Sequence, residues 1–270
     1  MSADDAEFRV DPAIAMVATS SGKLPSAARI VAACGIKTSE KKGFFGSLFG
    51  KKSPTPKEFE WEDTNLVFPF NESHVAVSLM PGPIPWTDLE GPCATAWWWP
   101  EATEVMKAHE YHFLVTIIGG DIEPVDRRVL LTKLVSEVIK GADAVGVYWG
   151  EGTLVQEPSE FVRQAKDVNA QEIPAPLWID VRIEKNPDGT FRCFTTGLNP
   201  LGFLEIEVAK STLEPDELMS FIGDTACYIV NNRLEIPDGD TMGRTATEKY
   251  KVKHGPSMFD RPKVMHLIMV

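Results

Sequence analysis

The tetrapeptide Asn-Pro-Asp-Gly at 186–189 lies between two β-prone runs, LWIDVRIEK and TFRCFTTG. An Asp-Gly turn between apolar runs is a strong hairpin signal, so these two strands are expected to pair antiparallel. GFLEIEVA follows as another strand. Upstream the pattern changes, because there the strand-like runs are separated by stretches of helical period.

AIAMVATS (13–20) reads as a strand, and LPSAARIVAACG as a short helix with Pro25 at its start and Gly35 just past its end. FEWEDTNLVF and HVAVSLM read as two strands around the turn PFNES, and PGPIPW as irregular chain. WWWPEATEVMKAHE predicts a helix begun near Pro100, with Ala102, Val105, Met106 and His109 on its apolar face and Glu101 and Glu104 in its first turn. HFLVTIIGG and AVGVYWG bracket a helix whose Val129, Leu130, Leu134 and Val138 recur at helical spacing. Downstream of the hairpin, Leu218, Ile222, Thr225 and Ile229 form one helical stripe, with Thr212 as cap and Pro215 in the first turn. IPDGDTMG is a turn, and KVMHLIMV closes the chain as a strand.

The expected class is α+β: a mixed β-sheet flanked by helices, with an N-terminal β-α-β-β-α-β-α-β order followed by β-β-β-α-β. Strands separated by helices predict parallel pairs in the first part. Residues 1–36 and 58–166 form an N-terminal α/β half with a basic insert at 37–57, and residues 167–270 a C-terminal α+β half. The two halves are expected to make one unit.

The insert contains KKGFFGSLFGKK, residues 41–52, in a chain of net charge −12. Six lysines against Glu40 give residues 37–57 a balance of +5, which leaves −17 for the rest. A body that acidic disfavours nucleic acid and stable membrane association and favours a basic partner. As a helix, the insert would align Phe44, Phe45, Leu48 and Phe49 on one edge, and its glycines would weaken that helix by about 1 kcal/mol each. Its acceptor is the protein's own surface, a partner groove or an anionic membrane surface. No secretory signal or membrane-length apolar run stands out, and the four cysteines show no CxxC pair. A cytoplasmic setting follows.

Catalytic signatures are scarce. There is no GxSxG elbow and no phosphate-binding glycine loop, and IIGGD lacks the remainder of a dinucleotide fingerprint. His109 and His112 lack a third metal ligand at suitable spacing and read as a helix C-cap and a satisfied strand histidine. Asp238 and Asp240 flank a glycine in what reads as a plain turn. No cofactor or metal is implied. Glu205 and Glu207 alternate along a strand and project from one face, either into a pocket, where paired acids could do acid–base work, or towards solvent and a basic partner. Trp97, Trp98 and Trp99 cannot all point inward, so at least one is expected at a surface or pocket rim.

FTTGLNPLGFLEIEV, followed by STLEPDELMSFIGDTACYIVNNRLEIPDGDTMG, resembles the bacterial family known as domain of unknown function 4261, which joins this tail to an upstream ATAWWWP-like segment. The resemblance covers most of residues 60–260 and implies no activity. Thr195-Thr196-Gly197-Leu198, Glu205-Ile206-Glu207 and Asp238-Gly239-Asp240 are also similar to the suppressor-of-fused fold. That similarity implies a binding role, since its eukaryotic member sequesters a transcription factor and bacterial relatives are proposed toxin-neutralising immunity proteins.

The expectation is a non-catalytic, cytosolic protein-binding module of the immunity or adaptor type. Its binding residues would be drawn from Trp97, Trp98, Trp99, Glu205, Glu207, Phe44, Phe45 and Phe49. The alternative is an enzyme that uses Glu205 and Glu207 in a tryptophan-lined pocket.

Overall fold

The structure, a computed structural model, describes residues 12–37, 59–244, 248–259 and 263–269. The insert's Phe44, Phe45 and Phe49 lie outside the described residues. Residues 12–156 build a first sheet with its helices, in the order β1 (Ala13–Thr19), α1 (Ala27–Ala33), β2 (Asn65–Phe70), β3 (Ser73–Met80), α2 (Trp86–Thr95), α3 (Ala102–Ala108), β4 (Tyr111–Gly119), α4 (Pro124–Gly141), β5 (Ala144–Trp149) and β6 (Leu154–Gln156). Two short helices follow, α5 (Pro158–Gln164) and α6 (Ala175–Trp178). The second sheet then forms from β7 (Asp180–Lys185), β8 (Phe191–Thr196), β9 (Ile206–Ser211), α7 (Pro215–Asn232), β10 (Thr241–Met242), β11 (Tyr250–Gly255) and β12 (Val264–Met269). The architecture is α+β.

The first sheet runs β2-β3-β4-β1-β5-β6, and all its pairings are antiparallel. This corrects the expectation of parallel neighbours. β4 and β5, joined by α4, do run in the same direction, but β1 lies between them and pairs with both. A crossover helix fixes strand direction without fixing adjacency. The small apolar residues of β1, including the buried Ala13, Ala15, Val17 and Ala18, suit a central strand covered on both faces.

One face of this sheet packs on α1 and α4 in the main core, where Leu131, Leu134, Val135 and Val138 of α4 are buried. The other face is covered by α2 and α3, whose Leu89, Cys93, Ala102 and Met106 form a smaller cluster with Ala18 and Val155. PGPIPW is irregular up to Pro85, as expected, but the helix α2 that starts at Trp86 was not expected. Gly91 and Pro92 weaken a helix, yet Leu89, Pro92 and Cys93 are buried and packing overrides propensity.

The second sheet runs β10-β11-β12-β9-β8-β7, and β12 with β9 is its one parallel pair. The Asn-Pro-Asp-Gly signal holds: β7 and β8 pair antiparallel across it, with Gly189 at φ +87°. α7 buries Leu218, Ile222, Thr225 and Ile229 as the stripe predicts. Its cap is Glu214 and not Thr212, because Pro215 occupies the first helical position and sets the start. β10 and β11 were not expected, and they make the C-terminal order β-β-β-α-β-β-β.

The main core contains buried residues of both sheets, from Ala13 to Leu267. Trp178 joins them. Its indole is 1% exposed, stacks on Trp149 at 6.4 Å between ring centroids, and donates from Nε1 to Thr132 Oγ1 on α4 at 2.8 Å. Replacing Thr132 by Val keeps the shape but removes that acceptor, leaving a buried N–H unpaired at a cost of about 1–3 kcal/mol. We expect Thr132→Val to lower the urea midpoint with an unchanged m-value and Thr132→Ser to restore most of the loss. Equal midpoints for Val and wild type would show that the bond contributes nothing.

Candidate functional site

The turn between α2 and α3 presents the three tryptophans in three different environments. Trp99 is 7% exposed and packs into the smaller core cluster. Trp98 is half-buried and donates from Nε1 to the Val155 carbonyl at 3.2 Å. Trp97 is 69% exposed and meets Trp98 edge-on at 5.8 Å between ring centroids. Consecutive side chains on a turn diverge, so the run splits into one core residue, one anchor and one free ring.

All three line a cavity of about 620 Å³ between the two sheets. Its other walls come from Leu154 and Gln156 of β6, Glu160 and Gln164 of α5, and Met219, Gly223, Asp224 and Cys227 of α7. Ala175, Pro176, Ile179 and Asp180 form the remaining side. Four acidic residues, Glu157, Glu160, Asp180 and Asp224, belong to this lining, which includes no Lys, Arg or His. Glu160 pairs with Arg163, and Asp180 with Arg182 at 2.5 Å. Glu157 and Asp224 make no ion pair among the described residues.

Asp180 is 5% exposed, and burial pushes its carboxyl above the usual carboxylate range, against the opposing pull of Arg182. A cation arriving in the cavity would reverse that effect. The combination of an exposed indole face with a surrounding set of acceptors suits a cationic group with an apolar or planar body.

Glu205 and Glu207 lie elsewhere. Both are buried, at 2% and 0% exposure; Glu207 lies on β9, an interior strand between β8 and β12, and Glu205 directly precedes it. Glu205 Oε1 accepts from the backbone N–H groups of Gly197, Leu198 and Asn199 at 2.9–3.0 Å, and Oε2 accepts from Thr195 Oγ1. Glu207 accepts from Ser257 Oγ and from the Met258 N–H at 2.9 Å. Each carboxylate closes a turn, and neither lines the tryptophan cavity. The paired-acid arrangement that an acid–base reading requires is therefore not assembled with the tryptophans.

The histidines are similarly committed. His109 caps α3: Nδ1 donates to the Met106 carbonyl, and Nε2 accepts from the Ile84 N–H at 2.7 Å. His112 Nδ1 bonds the Gly82 carbonyl at 2.8 Å. Asp238 accepts from the His254 N–H in the turn before β10. Among the described residues there is no group of three His, Cys, Asp or Glu able to hold a metal, and no helix long and apolar enough to cross a membrane. All four cysteines are free thiols, and burial pushes Cys34 and Cys193 up to about 12 and Cys93 to about 11. None of these three is an activated thiolate at neutral pH.

The turn that Glu205 closes, its strand and α7 reproduce the C-terminal pattern read from the sequence. Residues 194–268 match a domain of unknown function, DUF4261. The DUF4261 segment runs from the end of β8 into β12, so it is narrower than the 60–260 span expected and leaves the tryptophans outside it. It includes both glutamate locks and the α7 wall of the cavity. No curated protein and no solved structure matches the chain, so the suppressor-of-fused similarity gains no support.

Two measurements check these assignments. Glu205→Ala would strand three N–H groups and a hydroxyl, and we expect a loss of about 3–5 kcal/mol in denaturant unfolding, with Glu205→Gln in between. A carboxylate that merely faced solvent would cost under about 0.5 kcal/mol. His109 is held neutral: burial lowers its pKa, and Nε2 already accepts a bond. The unfolded chain then binds the extra proton, so this contribution is full above the unfolded pKa near ~6.5 and is lost as pH falls through the folded value. His109→Gln should flatten that part of the stability–pH curve; parallel curves for the two proteins would refute the assignment.

Proposed function

We propose that this chain is a non-catalytic binding protein that seats a cationic side chain of a basic protein partner in the Trp97–Trp99 cavity. The observation that carries the reading is the lining itself, an exposed indole with four acidic residues and no basic one. An arginine would fit best, since its planar guanidinium stacks on an aromatic face and pairs bidentately with carboxylates. Asp224 and Glu157 are the carboxylates available to it, because Glu160 and Asp180 already have partners. The acidic charge of the whole chain would raise the association rate of a basic partner. A role of the immunity or adaptor type, in a cytoplasmic setting, is consistent with such a surface.

The test uses intrinsic tryptophan fluorescence and calorimetry with a short arginine-rich peptide, and the same peptide carrying neutral citrulline. Wild type should bind the arginine peptide and not the citrulline one. Trp97→Ala and Asp224→Asn should each weaken binding about tenfold, roughly the worth of one cation–π contact or one well-placed ion pair. Protonating the acidic residues of the cavity would remove the charge that attracts a cation, so affinity should fall in acid. Equal affinity for the citrulline peptide, or for the Trp97→Ala protein, would end this reading.

A further inference from the structure

A second depression, also about 620 Å³, lies between α1, α4 and α5 on the other side of α5 from the tryptophan cavity. Its rim has the opposite sign. Arg29 comes from α1, Lys133 and Lys140 from α4, Arg163 from α5, and Lys166 from the turn after it, against the single carboxylate of Glu137. The floor is small and apolar, formed by Ala32, Ala33, Val162 and Ala165.

The spacing explains the convergence. Residues 29, 32 and 33 of α1, and 133, 136, 137 and 140 of α4, each fall on one helical face, and Val162 and Arg163 of α5 with Lys166 of the turn after it complete the groove. Gathering like charges costs stability, and here only part of the cost is offset. Glu137 accepts from Arg29 at 3.1 Å and from Lys140 at 2.8 Å, and Arg163 leans away to Glu160. Lys133 and Lys166 have no carboxylate partner among the described residues. Such a focus of positive charge on a chain of net charge −12 is unexpected for a plain solvated face.

We propose that this groove receives an acidic segment of a partner protein, with its carboxylates on Lys133 and Lys166 and an apolar side chain on the alanine and valine floor. Breadth and the surrounding charge decide among anions. A nucleic-acid duplex or an anionic bilayer is broad, and its phosphates would be brought against the acidic remainder of the chain. A single acidic segment can confine its charge to the basic residues of this depression.

The test is fluorescence polarisation of the full-length protein at low salt with a labelled peptide of glutamates and two leucines. Wild type should bind it, and the same peptide with glutamine for glutamate should not bind. Lys133→Glu combined with Lys166→Glu should weaken binding at least about tenfold while leaving the thermal midpoint near wild type, since both lysines are solvent-exposed. Trp97→Ala should change nothing, which separates this site from the tryptophan cavity. No binding by wild type, equal binding by the charge-reversed protein, or tighter binding of a DNA oligonucleotide or of phosphatidylserine vesicles than of the peptide would overturn the proposal.

Discussion

The carbonyl of Trp178 sits so close to Gly152 and Gly197 that a Cβ at either position would fall within 2.4 or 2.2 Å of its oxygen. Gly152 follows the first sheet's β5 and Gly197 follows the second sheet's β8, so one peptide group is clasped by the two halves at once. Gly197 also has φ +119°, a conformation that L side chains rarely adopt, so two independent constraints select glycine there. The indole of the same residue is tied to Thr132 of α4. Ile179 and Asp180 follow directly and line the tryptophan cavity. The cavity's geometry is thus a consequence of how the sheets are joined, and loosening that junction would move one wall relative to the other.

The second constraint acts on the same turn. Once Gly197 has made its close approach, the N–H groups of residues 197–199 point together into the interior, where nothing in the backbone can accept them. The Glu205 carboxylate collects all three. A buried carboxylate is costly unless saturated with donors, and three orphaned N–H groups are costly unless an acceptor is supplied. Each offsets the other. Both partners lie in the segment that matches DUF4261, so this lock belongs to the matched segment's framework and is separate from the surface that a partner would touch.

Much of the fold was legible because hydrophobic period and turn chemistry act locally. The stripes on α4 and α7, the helix α1 between Pro25 and Gly35, and the hairpin at Asp188-Gly189 all follow from neighbouring residues. What was not legible is non-local. No local signal says that β1 inserts between β4 and β5, or that packing sustains α2 through Pro92. β11 is a different case: Tyr250 and Val252 are buried and alternate with exposed lysines, a period-2 signal hidden by its length and polarity. The site was half visible. Three consecutive tryptophans had to expose a ring, whereas Glu205 and Glu207 showed the same alternation whether their strand was an edge or an interior one. The acidic residues that do line the cavity, Glu157, Glu160, Asp180 and Asp224, come from three separate regions of the chain and form no motif.

Charge on this molecule is therefore segregated by secondary structure more than by sequence. α5 contributes Glu160 and Gln164 to the acidic cavity and Val162 and Arg163 to the basic groove, so a seven-residue helix divides two surfaces of opposite sign. The Arg163–Glu160 pair lies across that divide, one partner on each rim. Both side chains are partly exposed, so the pair itself adds little stability. Its physical effect is on the two fields: while closed, it withdraws one carboxylate from the cavity and one guanidinium from the groove. That leaves Asp224 and Glu157 on one side, and Lys133 and Lys166 on the other, as the charges each surface presents.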